Sequence, residues 1–398
     1  MTPIQTPQFD LTHTLIPIYN DLKAFPTLKA LKQSPLYAQH GSEIKRVATG
    51  VAWLNHVHDS SPRDAIRVVA WNIERGLCLD GILHVLRTDN VLNQADILLI
   101  IETDIGMGRS GNRNVPLEIA ETLNLNYCFA NSFLSLEKGD VGEQDHDLPN
   151  TLALHGITIL SRFKIDAYQV LSLPPAKDLF TDLEKRLGTR KALICRIAIN
   201  NEPYDFAVIH LELASTPRQR AGQMEPLLQA LQTSNAKAQL IGGDWNTTTY
   251  NLVNKRGLTK NLLHKAIRVQ FSGAIAHYMT PERIFERPLF DLLKAYGYAI
   301  DPYNDRNTGT VYYDIHDKNV NNKIRAYVPE FGVRWLHKKL RPWNGRVPLH
   351  LDWFAGKNIQ PVQSPQGIYA PPQTIERPTW ENQTLSDHDP IVVDLHLA

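Results

Sequence analysis

Seven short apolar runs, each bordered or interrupted by polar residues, set the strongest limit on how this chain can fold. They lie at residues 66–76, 95–102, 154–162, 204–211, 238–241, 349–354 and 391–395. Their length and their Val, Ile and Leu content read as buried strands. Between them stand helical patterns at residues 217–231 and 288–296, and further helix is expected within 19–32. Strands alternating with helices point to a layered α/β or α+β domain and away from a helical bundle. With 398 residues and 43% hydrophobic content, the chain can bury one large core or two ordinary ones.

The polar groups at the strand ends carry the chemistry. The run at 238–241 leads into Gly242-Gly243-Asp244-Trp245-Asn246, and Ser386-Asp387-His388-Asp389-Pro390 leads into the last run. Taken alone, Gly-Asp-x-Asn is also an ordinary turn. The other runs add Asn72, Glu102 and His210, and Asp352 sits inside an apolar stretch where a charge needs a partner. Carboxylates, amides and imidazoles together are what a metal-assisted attack on a phosphoester requires. Glu102 is a hard oxygen ligand of the kind that Mg²⁺ or Mn²⁺ prefers. His388 is suited to acid or base work near neutral pH.

In this order, over residues 66–397, these residues resemble the endonuclease/exonuclease/phosphatase (DNase I-like) superfamily. Its members include nucleases, sphingomyelinases, inositol polyphosphate 5-phosphatases and deadenylases. The resemblance implies an α+β fold, a four-layer sandwich of two mixed β-sheets flanked by helices. It implies a metal site of Asn72, Glu102 and Asp387 holding Mg²⁺ or Mn²⁺. It makes His210, Asp244, Asn246, Asp352 and His388 the catalytic group, with Asp352 orienting His388. The activity implied is hydrolysis of a phosphoester by in-line attack of water, with a phosphodiester in DNA or RNA as first choice. The alternatives are a phosphomonoesterase or sphingomyelinase-like esterase acting on a small or lipid phosphate, and a catalytically silent binding protein. Two departures bear on this. His210 stands where abasic-site endonucleases have tyrosine, and Ile157 stands where many members have a phosphate-binding asparagine. The segment 102–114 is most like that of bacterial members, and its Arg109, Asn112 and Arg113 are expected to reach the cleft and bind a second phosphate.

The domain is expected to span 65–398, with residues 1–64 as an appendage and a long insertion at about 247–348 forming a lid or wall of the cleft. Within the insertion, Lys323, Arg325, Arg334, Lys338, Lys339 and Arg341 alternate with Tyr327, Phe331, Trp335 and Trp343. That composition suits a flat anionic ligand, or equally an amphipathic helix with a solvated basic face. A net charge of +1 argues against coating nucleic acid with the whole surface. The three cysteines, Cys78, Cys128 and Cys195, read as thiols of a cytoplasmic protein. No signal segment or membrane span is expected, and no protein partner. Residues 137–147 read as a solvated acidic loop, Glu74 as a neighbour of the metal site by strand alternation, and Arg220 with Gln223 as support for the loop after His210.

Overall fold

The computed structural model describes residues 8–9, 11–140, 143–144, 147–248, 277–315 and 330–397. Along the chain, helix α1 (Pro35–Ala48) starts at a Ser34 cap with proline in its first turn, and precedes strand β1 (Val51–Leu54). Strand β2 (Ala65–Arg75), helix α2 (Leu79–Thr88) and strand β3 (Ile97–Ile105) form a crossover unit, followed by helix α3 (Val115–Leu123). Strands β4 (Asn126–Ser135) and β5 (Leu154–Ser161) complete the first half. Strands β6 (Ile165–Ser172), β7 (Lys191–Ile199) and β8 (Glu202–His210) lead to helix α4 (Pro217–Gln232) and strand β9 (Ala238–Asp244). Helices α5 (Arg287–Ala295) and α6 (Glu330–Leu340) then precede strands β10 (Asp352–Lys357) and β11 (Ile391–His396).

Two mixed sheets result. The larger runs β1-β4-β5-β3-β2-β11 with short strands at both edges, and the smaller runs β10-β9-β8-β7-β6. Each holds one parallel pair, β2 with β3 and β8 with β9, and each pair is joined by a helix, as parallel strands require. Alternate residues of every central strand are buried on opposite faces. Val68, Leu99, Ile159, Cys195, Phe206 and Phe354 meet between the sheets. Val69, Leu98 and Phe129 face helices α2 and α3, while Ile209 and Ile241 face Met224 and Leu228 of α4 and Phe290 of α5. Burial on both faces explains why the strands read as nearly continuous apolar runs. Helix, sheet, sheet and helix are the four layers of the α+β sandwich expected from the sequence.

The segment before Ala65 packs on this core: Leu11, Leu15, Leu22 and Val47 join it, and β1 pairs with β4 at the sheet edge. One boundary differs from the sequence reading. The run at 349–354 is split, because Arg346–Leu349 pairs with Val311–Asp314 in a separate ribbon and β10 begins only at Asp352. In the insertion, Lys323, Arg325 and Tyr327 lie outside the described residues, as do the side chains of Phe331 and Lys339. Arg334, Trp335 and Lys338 lie on α6, which buries Val333 and Leu340 and turns these three outward, and Arg341 and Trp343 form a 3-10 turn after it. No helix among the described residues is long and apolar enough to cross a membrane.

Candidate active site

The parallel pairs end at the same rim, and that places the polar groups. Asn72 lies near the end of β2, and His210 and Asp244 are register partners at the ends of β8 and β9. Strand β10 runs antiparallel to β9, so its first residue, Asp352, sits opposite Asp244. Strand β11 runs antiparallel to β2, so the Ser386–Pro390 segment preceding it arrives beside Asn72, and Ser386 Oγ donates to the Asn72 carbonyl at 2.7 Å. Glu102 reaches the rim through an irregularity. It has φ 59°, and the ladder shifts register between Ile101 and Thr103, which turns its carboxylate out of the strand alternation.

Asp244 is the hub. Its Oδ2 accepts from Asn72 Nδ2 at 3.2 Å, from Asn246 Nδ2 at 3.2 Å and from His210 Nε2 at 3.2 Å. Its Oδ1 accepts from the Asn246 backbone N–H at 2.8 Å. Burial pushes this carboxyl up, but the charges of His388 and His210 and these hydrogen bonds outweigh burial and hold it below the usual range. The bond from Asn72 to Asp244 ties one sheet to the other across the rim.

The two histidines are held in different states. Arg190 donates to His210 Nδ1, and because guanidinium is only a donor, the His210 proton must lie on Nε2. Burial, and then the Arg190 charge, push the His210 pKa down, so it is a neutral donor at pH 7. His388 instead has Nδ1 2.8 Å from Asp352 Oδ2 and Nε2 3.8 Å from Asp244 Oδ2. Burial alone would lower it, but Asp352 and Asp244 together raise it well above the ordinary histidine value. Its backbone is fixed by Ser386 Oγ and by Trp71 Nε1, which donates to its carbonyl at 2.9 Å. Thr310 Oγ1 accepts from the backbone N–H groups of Leu351 and Asp352, fixing the start of β10.

Glu102 Oε2 is 3.3 Å from Arg75 Nη1, while Oε1 turns toward His210 Nε2 at 3.9 Å. Burial opposes its ionisation, yet Arg75 and His210 hold its pKa well below the usual range. An ionised carboxylate with one oxygen aimed into the cluster is a donor that fits a hard divalent cation, and the Asn72 amide lies on the same rim. Asp244, Asp352 and His388 also have ligand atoms within 4.8 Å of one another. The 2.8 Å contact of His388 with Asp352, however, is a hydrogen bond that uses the nitrogen lone pair or proton a metal would displace.

Several expected residues sit elsewhere. Arg109 is not available to a phosphate. The loop after β3 folds back on itself through the Ile105 and Asn114 pairing, which turns Arg109 inward onto Asp104 at 2.7 Å, Glu143 at 3.0 Å and Glu184 at 3.1 Å. Asn112 braces that loop through Pro149 and Thr151, and Arg113 pairs with Asp80 at 2.7 Å and with Glu118. Asp387 is exposed between the buried Ser386 and His388, and acts on His388 through its charge. Alternation fails after Asn72, where the register shifts, so Arg75 rather than Glu74 meets Glu102. Glu143 is not solvated but paired with Arg75 and Arg109. His155 is a buried partner of Asp104 at 2.7 Å. Gln223 accepts from the Glu212 N–H, and Arg220 binds Glu286 and Ser215, bracing the chain after His210. Arg75, Arg190 and Thr310 were missed by the sequence reading.

Behind the site His350 stacks on Trp353 with ring centroids 4.0 Å apart, and its Nε2 lies 3.1 Å from the Asp305 carbonyl. Burial and then the Arg306 charge push its pKa down to about 3. The unfolded chain therefore binds a proton that the native state refuses as pH falls from about 6.5, and stability falls with it. Between pH 7 and 5 this costs about 2 kcal/mol. Urea unfolding of wild type and His350→Phe at both pH values checks it, since the variant should lose that part of the pH dependence.

Among solved structures, the chain is similar to the endonuclease/exonuclease/phosphatase from Beutenbergia cavernae, with 15% identity over 84% of this chain and 72% of that one and a TM-score of 0.47. It is also similar to an endonuclease/exonuclease/phosphatase family protein from Leptotrichia buccalis, with 12% identity, 84% and 100% coverage and a TM-score of 0.47. A third is TDP2 of D. rerio complexed with single strand DNA product, with 12% identity, 84% and 100% coverage and a TM-score of 0.45. No protein-family model and no curated protein matches the sequence.

Proposed function

We propose that this protein is a divalent-metal-dependent phosphoesterase that cleaves a phosphodiester, nucleic acid first among the candidates, by in-line attack of water. The observation that carries the reading is the convergence of Asn72, Glu102, His210, Asp244, Asn246, Asp352 and His388 on one rim from both sheets, with Asp244 receiving four hydrogen bonds. Glu102 and Asn72 would hold the ion, which when bound supplies positive charge to a phosphoryl oxygen. Asp244 holds the His210 Nε2–H and the Asn246 amide in place and orients the Asn72 amide, whose second Nδ2 hydrogen is preorganised for an oxygen whose charge grows in the transition state. His388, with Nδ1 held by Asp352, moves the reacting proton through Nε2.

The test is hydrolysis of bis-p-nitrophenyl phosphate, p-nitrophenyl phosphate and single- and double-stranded DNA and RNA with Mg²⁺ or Mn²⁺. Diester cleavage is expected, abolished by EDTA and restored by added metal, and lowered about 10²-fold or more in Glu102→Gln. Cleavage of the monoester alone would replace this reading with a phosphatase, and activity that survives EDTA would remove the metal from it.

A further inference from the structure

The rim of the smaller sheet continues beyond the cluster. Asp352 is opposite Asp244, Asp244 is opposite His210, and Ile209 is opposite Ala192, so the next residue pair in that ladder sets Lys191 beside His210. Lys191 is in turn the register partner of Ser172. Residues directly opposed across a sheet share a face. Two residues further along each strand that face holds Leu193 and Val208, which belong to the core between the sheets. Lys191 therefore stands in one row with His210, Asp244 and Asp352, at the same end of the same face.

Its surroundings are those of a cation without a counter-charge. Lys191 is 2% exposed, and its Nζ donates to Ser172 Oγ at 2.7 Å and Thr189 Oγ1 at 3.4 Å, both neutral. Of the rim cations, Arg75 has Glu102 at 3.3 Å and Arg190 has Glu212 at 3.7 Å. For Lys191 no carboxylate lies within 4.0 Å among the described residues. Buried lysines are rarely left so, because the ammonium loses its hydration and gains nothing in return. Burial pushes its pKa down to about 8, which still leaves it mostly charged at neutral pH. It is covered to about the same degree as Asp244 and His210, at 1% and 3% exposed, and the Ser172 that it touches is exposed, so the ammonium ends near the surface.

We propose that Lys191, with the hydroxyls of Ser172 and Thr189, forms a second anion subsite beside the reacting cluster, and that it takes a phosphate group of the substrate other than the one attacked. Adjacent strands are about 5 Å apart, so this is a neighbouring phosphate on the same molecule. The substrate class is a phosphodiester carrying at least one further phosphate. The proposal rests on the phosphoesterase reading above.

The experiment compares the thymidine dinucleotide TpT with the same dinucleotide bearing a 5′ or a 3′ terminal phosphate, on wild type, Lys191→Met and Lys191→Arg, with thermal unfolding as the check on folding. Wild type is expected to favour one phosphorylated form over TpT by about tenfold or more in KM. Lys191→Met should lose that ratio, and Lys191→Arg should recover part of it. No preference in wild type, or a preference kept in Lys191→Met, overturns the subsite. Should wild type cleave none of the three, the phosphodiester reading fails, and the subsite is then judged by calorimetric binding of inorganic phosphate. Binding at least tenfold weaker in Lys191→Met supports it, and equal binding overturns it.

Discussion

Replacing His388 with alanine is expected to lower kcat/KM for bis-p-nitrophenyl phosphate by about 10²–10⁴-fold, the range for a positioned proton-transfer group. The fold should persist, because the bonds from Trp71 Nε1 and to Ser386 Oγ use only the His388 backbone. A sharper arm is Asp352→Asn. Burial disfavours the imidazolium, and the raised state of His388 depends on the Asp352 and Asp244 charges that overcome it. Removing one of those charges must move the pH limb belonging to His388 to lower pH. The measurement is the pH–rate profile of both enzymes under saturating Mn²⁺. If Asp352→Asn leaves that limb in place, the two residues do not act as a pair.

The sequence disclosed seven of the eleven numbered strands, because burial on both faces of a sheet leaves nearly continuous apolar runs, while β1, β4, β6 and β7 were not read from it. It disclosed Asn72, His210 and Asp244 because each ends, or nearly ends, such a run, and the end of a parallel strand is where a rim must be. It did not disclose Arg109. An arginine in a glycine-rich loop reads as solvent-facing until the loop is known to fold back onto Asp104 and Glu184, which are remote from each other in sequence. It did not disclose Arg75 either. The β2 ladder shifts register after Asn72, and a period of two cannot anticipate a shift. Asp387 keeps its place in the motif, exposed between the buried Ser386 and His388. What failed was long-range pairing of charges, which local pattern does not encode.

Arg67 carries the largest expected effect on stability, and for the same reason: its partner lies at the far end of the chain. Arg67 and Asp394 are register partners on β2 and β11, 2% and 1% exposed. Nε and Nη2 of the guanidinium each lie 2.7 Å from a different Asp394 oxygen, and Nη1 donates to the Val91 carbonyl at 3.1 Å. Asp394 Oδ2 also accepts the Ala370 N–H at 2.7 Å, so the pair holds down the proline-rich segment ahead of the last motif. Substituting Arg67→Met keeps an apolar stem but strands a buried carboxylate and the carbonyls of Val91 and Ile368. Breaking a buried pair in this way costs about 3–5 kcal/mol. The double variant Arg67→Met with Asp394→Leu removes both charges and should recover much of that loss, because the penalty belongs to the orphaned charge and not to the missing attraction. Urea midpoints of the two single variants and the double variant decide it. A single variant within 1 kcal/mol of wild type, or a double variant no better than Arg67→Met, would show that water reaches Asp394 and that β2 and β11 are not locked by charge.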